Sequence, residues 1–269
     1  MTDLNAPQAG QRDGPAPLGS ADLRVPVSGA LEDPDTGGAQ VSDESHAGAH
    51  RVRRPHRAVK ASALEAVVFD VGNVILAWDP QGAVAGRVST RAWEEFVRDG
   101  DFNGLNARLD AGRPFEQVLS DLVSAHPERP DWGDILRTYH AHHRDSLPGL
   151  IPGVDRLIED LAAAGVPLYA LTNFAADLFE GARPLMPALT RFDGVVISGR
   201  ERLVKPDPAI YRLLLDRFGL KAGHTLFIDD SAANVAGAQA VGMQTHRFTG
   251  AGRLRADLVE RGVLPSPLD

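Results

Sequence analysis

The hydrophobic positions change period along the chain, and each change marks an element. Ala66 to Phe69 is a short apolar run without alternation, the pattern of a strand buried on both faces of a parallel sheet. Similar runs predict strands at 166–171, 194–197, 225–228 and 243–246. Between them the period is helical. Val154, Leu157, Ile158 and Leu161 share one face, and Gly165 ends that helix. A helix starting near Ala175 breaks at Pro184 or Pro187. Asp207 as N-cap and Pro208 at the first helical position start another, running from Ala209 to Phe218. Ser231–Val241 and Arg253–Glu260 complete the set.

One stretch departs from this alternation. Residues 80–148 predict helices and no strand. Ser89 caps Arg91–Arg98, Pro114 suits the first turn of a helix running to Ala125, and Asp131 opens one through Ile135, Leu136 and Tyr139. The expected fold is therefore α/β, a Rossmann-like parallel sheet in three α/β/α layers. Residues 63–79 and 149–269 form the core, and residues 80–148 form a small helical cap inserted after the first strand.

Residues 1–62 are a different kind of polymer. They hold no Phe, Trp, Tyr or Ile, while Gly, Pro, Ala and Asp recur without period. Such a segment buries too little apolar surface to offset its ordering entropy, so disorder is expected there. The 269-residue chain carries a formal charge of −8, which argues against nucleic acid or an anionic membrane as main partner. Cysteine is absent, which excludes disulfides and thiolate metal sites and fits a cytoplasmic setting. The first thirty residues lack a basic start and an apolar h-region, so no secretory signal is expected, and no stretch has the apolar length of a membrane helix.

Three predicted strands end in polar groups: Asp70, then Thr172 with Asn173, then Asp229 with Asp230. Lys205 comes from the loop before the fourth strand. Right-handed crossovers bring these strand ends to one edge of the sheet, where ligands of open α/β folds bind. Gly72 is expected to let the backbone turn close beneath a ligand. Three carboxylates at one place repel unless a cation sits among them, and an all-oxygen donor set selects a hard ion, most naturally Mg²⁺. The metal and Lys205 then make a site for a doubly negative phosphate, with Thr172 and Asn173 donating to its oxygens. Phosphoryl transfer requires mainly positioning and charge stabilisation, and Asp70 is the carboxylate best placed as nucleophile. Each piece alone has an ordinary explanation: a helix cap for Asp229-Asp230, a turn residue for Thr172, a solvated loop lysine for Lys205. Their order and common location favour the chemical reading.

These pieces resemble the haloacid dehalogenase superfamily of phosphohydrolases. The resemblance rests on Phe69-Asp70-Val71-Gly72-Asn73-Val74, Leu171-Thr172-Asn173, Lys205-Pro206-Asp207-Pro208 and Ile228-Asp229-Asp230-Ser231-Ala232-Ala233-Asn234. The Gly-Asn-Val variant and the helical insert are similar to the subgroup containing bacterial glucose-1-phosphate phosphatases. The resemblance implies that Asp70 becomes a transient aspartyl-phosphate and that Thr172 and Lys205 hold the phosphate. It also implies that Asp230 binds Mg²⁺ with Asp70 and the Gly72 carbonyl, Asp229 lying directly on the ion or one shell out. By the same resemblance Asn234 is expected to organise the acidic loop, and the insert to close over a small phosphorylated substrate. Two positions depart from the family. Gly72 stands where most of its phosphatases carry an acid–base Asp, leaving Asp79 as a group that could reach back. Arg202 stands where glycine is frequent, which strains the Lys205 loop if that position uses positive φ. Displacement of halide from carbon and a non-catalytic phosphate-binding module are the alternative readings.

Overall fold

In a computed structural model of the chain the described residues are 64–266, so the expectation of disorder at 1–62 lies outside them. Five strands, β1 (Ala66–Phe69), β4 (Leu168–Thr172), β5 (Gly194–Ile197), β6 (Thr225–Asp229) and β7 (Gln244–Arg247), form one parallel sheet in the order β5-β4-β1-β6-β7. Two short strands, β2 (Leu76–Ala77) and β3 (Gly149–Leu150), pair antiparallel and bracket the insert. Sequence periodicity missed them because a two-residue strand has no period to read.

The first strand shows why its apolar run does not alternate. Val67 and Phe69 pack on one face with α5 (Val154–Ala163), α6 (Ala176–Ala182) and α10 (Ala251–Glu260). Val68 packs on the other with α8 (Pro208–Phe218) and α9 (Ala232–Ala240), through Ile210, Tyr211, Leu214 and Ala238. Side chains alternate between faces along a strand, and here both faces are covered, so every position is apolar.

The insert holds α1 (Thr90–Asp99), α2 (Phe102–Asp110), α3 (Phe115–Ala125) and α4 (Pro130–Ala141). Ser89 caps α1 as expected, accepting from the Ala92 N–H. Pro114 precedes α3 by one residue rather than occupying its first turn. The four helices share a core of their own, in which Trp93, Phe102 and Tyr139 meet with ring centroids 4.9 Å apart at Trp93–Phe102 and Phe102–Tyr139. Two helices were not expected: α2, capped by Asp101, and the single turn α7 (Ser198–Glu201) directly after β5.

The sheet order reverses beside β1. The chain moves from β1 to β4 and β5 on one side, then returns to place β6 and β7 on the other. A crevice opens beyond the carboxyl ends of the strands at such a reversal. The β1 end carries Asp70, and the adjacent β6 end carries Asp229 and Asp230.

Candidate active site

Strand register brings the acids together. Phe69 is level with Ile228, and the Asp70 N–H donates to the Ile228 carbonyl at 2.9 Å. Asp70, Asp229 and Asp230 each offer a carboxylate oxygen within 4.8 Å of the others. At an effective dielectric near 20 each such pair repels by roughly 3 kcal/mol when ionised.

Lys205 relieves part of this. Its Nζ lies 2.7 Å from Asp70 Oδ1 and 2.7 Å from Asp229 Oδ2, and donates to the Leu171 carbonyl at 3.0 Å. The lysine is 3% exposed, so this is a buried charge cluster and not a solvated loop lysine. Asn173 holds the loop in place through two bonds, its amide donating to the Lys205 carbonyl and its Oδ1 accepting from the Lys205 N–H, both at 2.9 Å. The reading that Asn173 meets phosphate must therefore be set against this loop-clamping role. Arg202 does adopt the left-handed conformation, at φ 56°, yet Lys205 still reaches both acids.

The two acids at the β6 end divide. Asp229 is fully buried and engaged on both oxygens, by Lys205, by the Ser231 N–H at 2.8 Å and by the Asn234 amide at 3.1 and 3.2 Å. Tyr211 in turn donates to the Asn234 carbonyl at 2.7 Å. Among the described residues the Asp230 carboxylate takes only its own backbone N–H and the pull of Lys205 and Arg247, and against these burial and then Asp229 push its pKa up. Asp70 uses Oδ1 for Lys205 and the Val71 N–H, which leaves Oδ2 unengaged. Burial raises the Asp70 carboxyl to about 7, Lys205 opposing the rise and Asp229 adding to it. Lys205 alone thus under-neutralises the cluster. A hard divalent cation fits this oxygen-only donor set.

Thr172 ends β4, buried, with its hydroxyl unpartnered among the described residues. The backbone requirement expected at Gly72 falls instead on its neighbour. Asn73 takes φ 54° and its side chain accepts from the Trp78 N–H at 3.1 Å, whereas a Cβ at Gly72 would meet nothing within 4 Å. Asp79 is exposed and caps the turn at Pro80–Val84 by accepting from the Gln81 N–H, so it does not reach back over the acids.

A cavity of about 110 Å³ joins the sheet edge to the insert. Val71, Gly72, Asn173 and Phe174 line it from the sheet, and Asn106, Asp110, Tyr139 and His143 from the insert. His143 sits between the rings of Tyr139 and Phe174, with centroids 5.6 and 5.4 Å away, and burial holds its pKa down at about 4. Because the folded value lies below the usual 6.5, His143 is neutral in the fold, and its contribution is present above that pH and lost as pH falls toward about 4. His143→Leu should remove up to about 3 kcal/mol of the acid-induced loss, read as the parent-minus-variant difference in urea unfolding at neutral and acid pH. His140 stacks on Phe115 and pairs with Asp177, while His142 and Arg144 are exposed.

Fold and site together define an α/β enzyme whose acidic centre sits at the carboxyl edge of a parallel sheet beneath a helical insert. The haloacid dehalogenase-like hydrolase family model matches residues 64–242, and the chain belongs to that family of hydrolases. A phosphoglycolate phosphatase of Yersinia pseudotuberculosis is 36% identical over 68% of this chain and 80% of its own length. The sesquiterpene phosphatase astK of Aspergillus oryzae is 27% identical over 68% of this chain and 88% of its own. Several other curated relatives are matched over about half of their length or less. Among solved structures, the wild-type HAD family enzyme bt-2542 of Bacteroides thetaiotaomicron, in complex with magnesium and inorganic phosphate, gives a TM-score of 0.52 at 16% identity. That match covers 70% of this chain and 95% of the other. No helix among the described residues is long and apolar enough to cross a membrane.

Proposed function

We propose that the protein is a Mg²⁺-dependent phosphatase of a small phosphorylated metabolite, working through an aspartyl-phosphate on Asp70. One observation carries the reading: three carboxylates converge within 4.8 Å with a single buried lysine between two of them. Halide displacement from carbon has no need for Asp230 beside Asp70 and Asp229, and a non-catalytic phosphate-binding fold has no need for an unengaged Asp70 Oδ2.

Asp70, Asp230 and the Gly72 carbonyl would hold the ion, with Asp229 one shell out because both its oxygens are taken. Magnesium, when bound, supplies the positive charge that lets these acids and a phosphate share the site. The remaining work belongs to the chain. Lys205 fixes Oδ1 of Asp70 and turns Oδ2 toward the incoming phosphorus. Thr172 donates its hydroxyl to a phosphate oxygen, and Asn173 keeps Lys205 in register. The insert, acting as a cap, excludes water from the transfer. The cavity is compact and half apolar, with Leu76, Trp78, Leu147 and Leu178 on its wall, which supports a small leaving group with a hydrocarbon part as readily as a sugar. The cysteine-free composition supports a cytoplasmic setting.

The test is turnover of para-nitrophenyl phosphate by the purified chain with Mg²⁺ and with a chelator. Activity restored by Mg²⁺ after chelation is expected. An inert protein on that ester and on a broad panel of sugar and alkyl phosphates would leave the binding-module reading in its place.

A further inference from the structure

Breaking a phosphate ester of an ordinary alcohol leaves an alkoxide that needs a proton in the transition state. No group of the charge cluster is left to give one: Asp229 is locked by Lys205 and Asn234, Asp70 and Asp230 serve as nucleophile and ion ligand in the reading above, and Gly72 offers no side chain. Three titratable side chains line the cavity beside Gly72: Tyr139, His143 and Asp110. Burial pushes the Tyr139 phenol well above its usual range and strips His143 of its proton. That leaves the carboxyl of Asp110, at the last position of α2.

From these positions we infer that Asp110 is the general acid of the reaction, reaching the leaving oxygen from the insert side of the cavity. The inference rests on the phosphatase reading above. Asp110 is tied to the sheet edge and not carried on a loose helix end. The Ser198 hydroxyl donates to the Asp110 carbonyl at 2.5 Å while accepting from the Phe174 N–H at 2.9 Å. Phe174 follows Asn173, which holds Lys205, so one run of bonds links Asp110 to the nucleophile's partner. Close packing reinforces the tie: a Cβ at Gly112 would meet the Gly199 carbonyl oxygen at 2.5 Å. On its side chain, Asn106 donates to Oδ2 at 3.0 Å, and Tyr139 donates to Asn106 at 3.4 Å. Among the described residues no cation pairs with the carboxyl. Burial raises it to about 7, with a backbone bond from Ala175 and the more distant Lys205 drawing it down, so it can hold or release a proton near neutrality.

The step balances as follows. Asp70 Oδ2 forms a bond to phosphorus as the ester P–O bond breaks, and the Asp110 proton passes to the leaving oxygen, releasing the alcohol. Water then attacks phosphorus, the acyl-phosphate bond breaks, and one water proton returns to Asp110 as inorganic phosphate leaves. Both residues end as they began.

Leaving groups decide the matter. Para-nitrophenolate departs without help, whereas a benzyl alkoxide does not. In Asp110→Asn, kcat/KM for benzyl phosphate should fall about a hundredfold or more, while para-nitrophenyl phosphate changes less than about threefold. Equal losses on both esters, or no loss on benzyl phosphate, would overturn the assignment. If that variant does not fold, the parent decides: a shallow dependence of kcat/KM on leaving group across para-nitrophenyl, phenyl and benzyl esters supports an acid, and a steep one removes it. A parent inert toward every ester would sink the phosphatase reading instead.

Discussion

Asp70→Asn is expected to lower kcat on an aryl phosphate by about 10⁴-fold or more while leaving the protein folded. Asparagine keeps the acceptor that the Val71 N–H uses at 2.7 Å, so the turn after β1 retains its local bond. What is lost is the unengaged oxygen that attacks phosphorus. The same substitution should make the metal-free protein more stable by about 1 kcal/mol, since it takes one charge from a crowded buried cluster and leaves Lys205 on Asp229 and the Leu171 carbonyl. Activity is thus held at a cost to stability, a frequent arrangement at catalytic centres. Urea unfolding in chelator gives the stability difference and steady-state turnover with Mg²⁺ the activity. Substantial activity surviving in the variant would take the nucleophile's role from Asp70.

Much of this centre could be read from residue order. Unalternating apolar runs ending in Asp70, Thr172 and Asp229 place three polar ends on one sheet edge, and physics leaves little freedom once crossovers are right-handed. Asp207 and Pro208 likewise announced α8, because a cap and a fixed φ act locally. The less legible parts depend on tertiary contact. The α2 segment carries Asn103, Gly104 and Asn106, poor helix formers whose helix is held by burying Phe102, Leu105 and Leu109 in the insert core. Asp110 gave no signal because nothing in its neighbours says that it closes on a cavity with Gly72. Ser198, directly after β5, is a buried hydroxyl joining the insert to the sheet, and only the fold brings residues 110 and 198 together. Asn173 carries more than its place at a strand end suggested: a ligand contact was expected there, and the fold also uses its side chain to hold the Lys205 backbone.

Lys205→Met should be the most destabilising single change at the centre, by about 3–5 kcal/mol in chelator, because it removes the ammonium bonded to two buried acids. Methionine fills most of the lysine's volume, so the loss is electrostatic and not a cavity. Asp70 and Asp229 then face each other without an ammonium, and the Leu171 carbonyl loses its donor. Turnover should fall by about 10³-fold or more, since Asp70 loses the group that fixes its oxygen. Added Mg²⁺ should restore part of the stability, as ligands of the folded state do, about 2.7 kcal/mol at a concentration a hundred times the dissociation constant. It should not restore activity, because a cation among the acids does not orient Asp70 as Lys205 does. The double variant with Asp70→Asn gives the decisive comparison. With one acid gone there is less charge for the lysine to offset, so the pair should be less destabilised than Lys205→Met alone, by about 1–3 kcal/mol of coupling. Additive losses, or a Lys205→Met protein as stable as the parent without metal, would mean that the ammonium does not neutralise these acids.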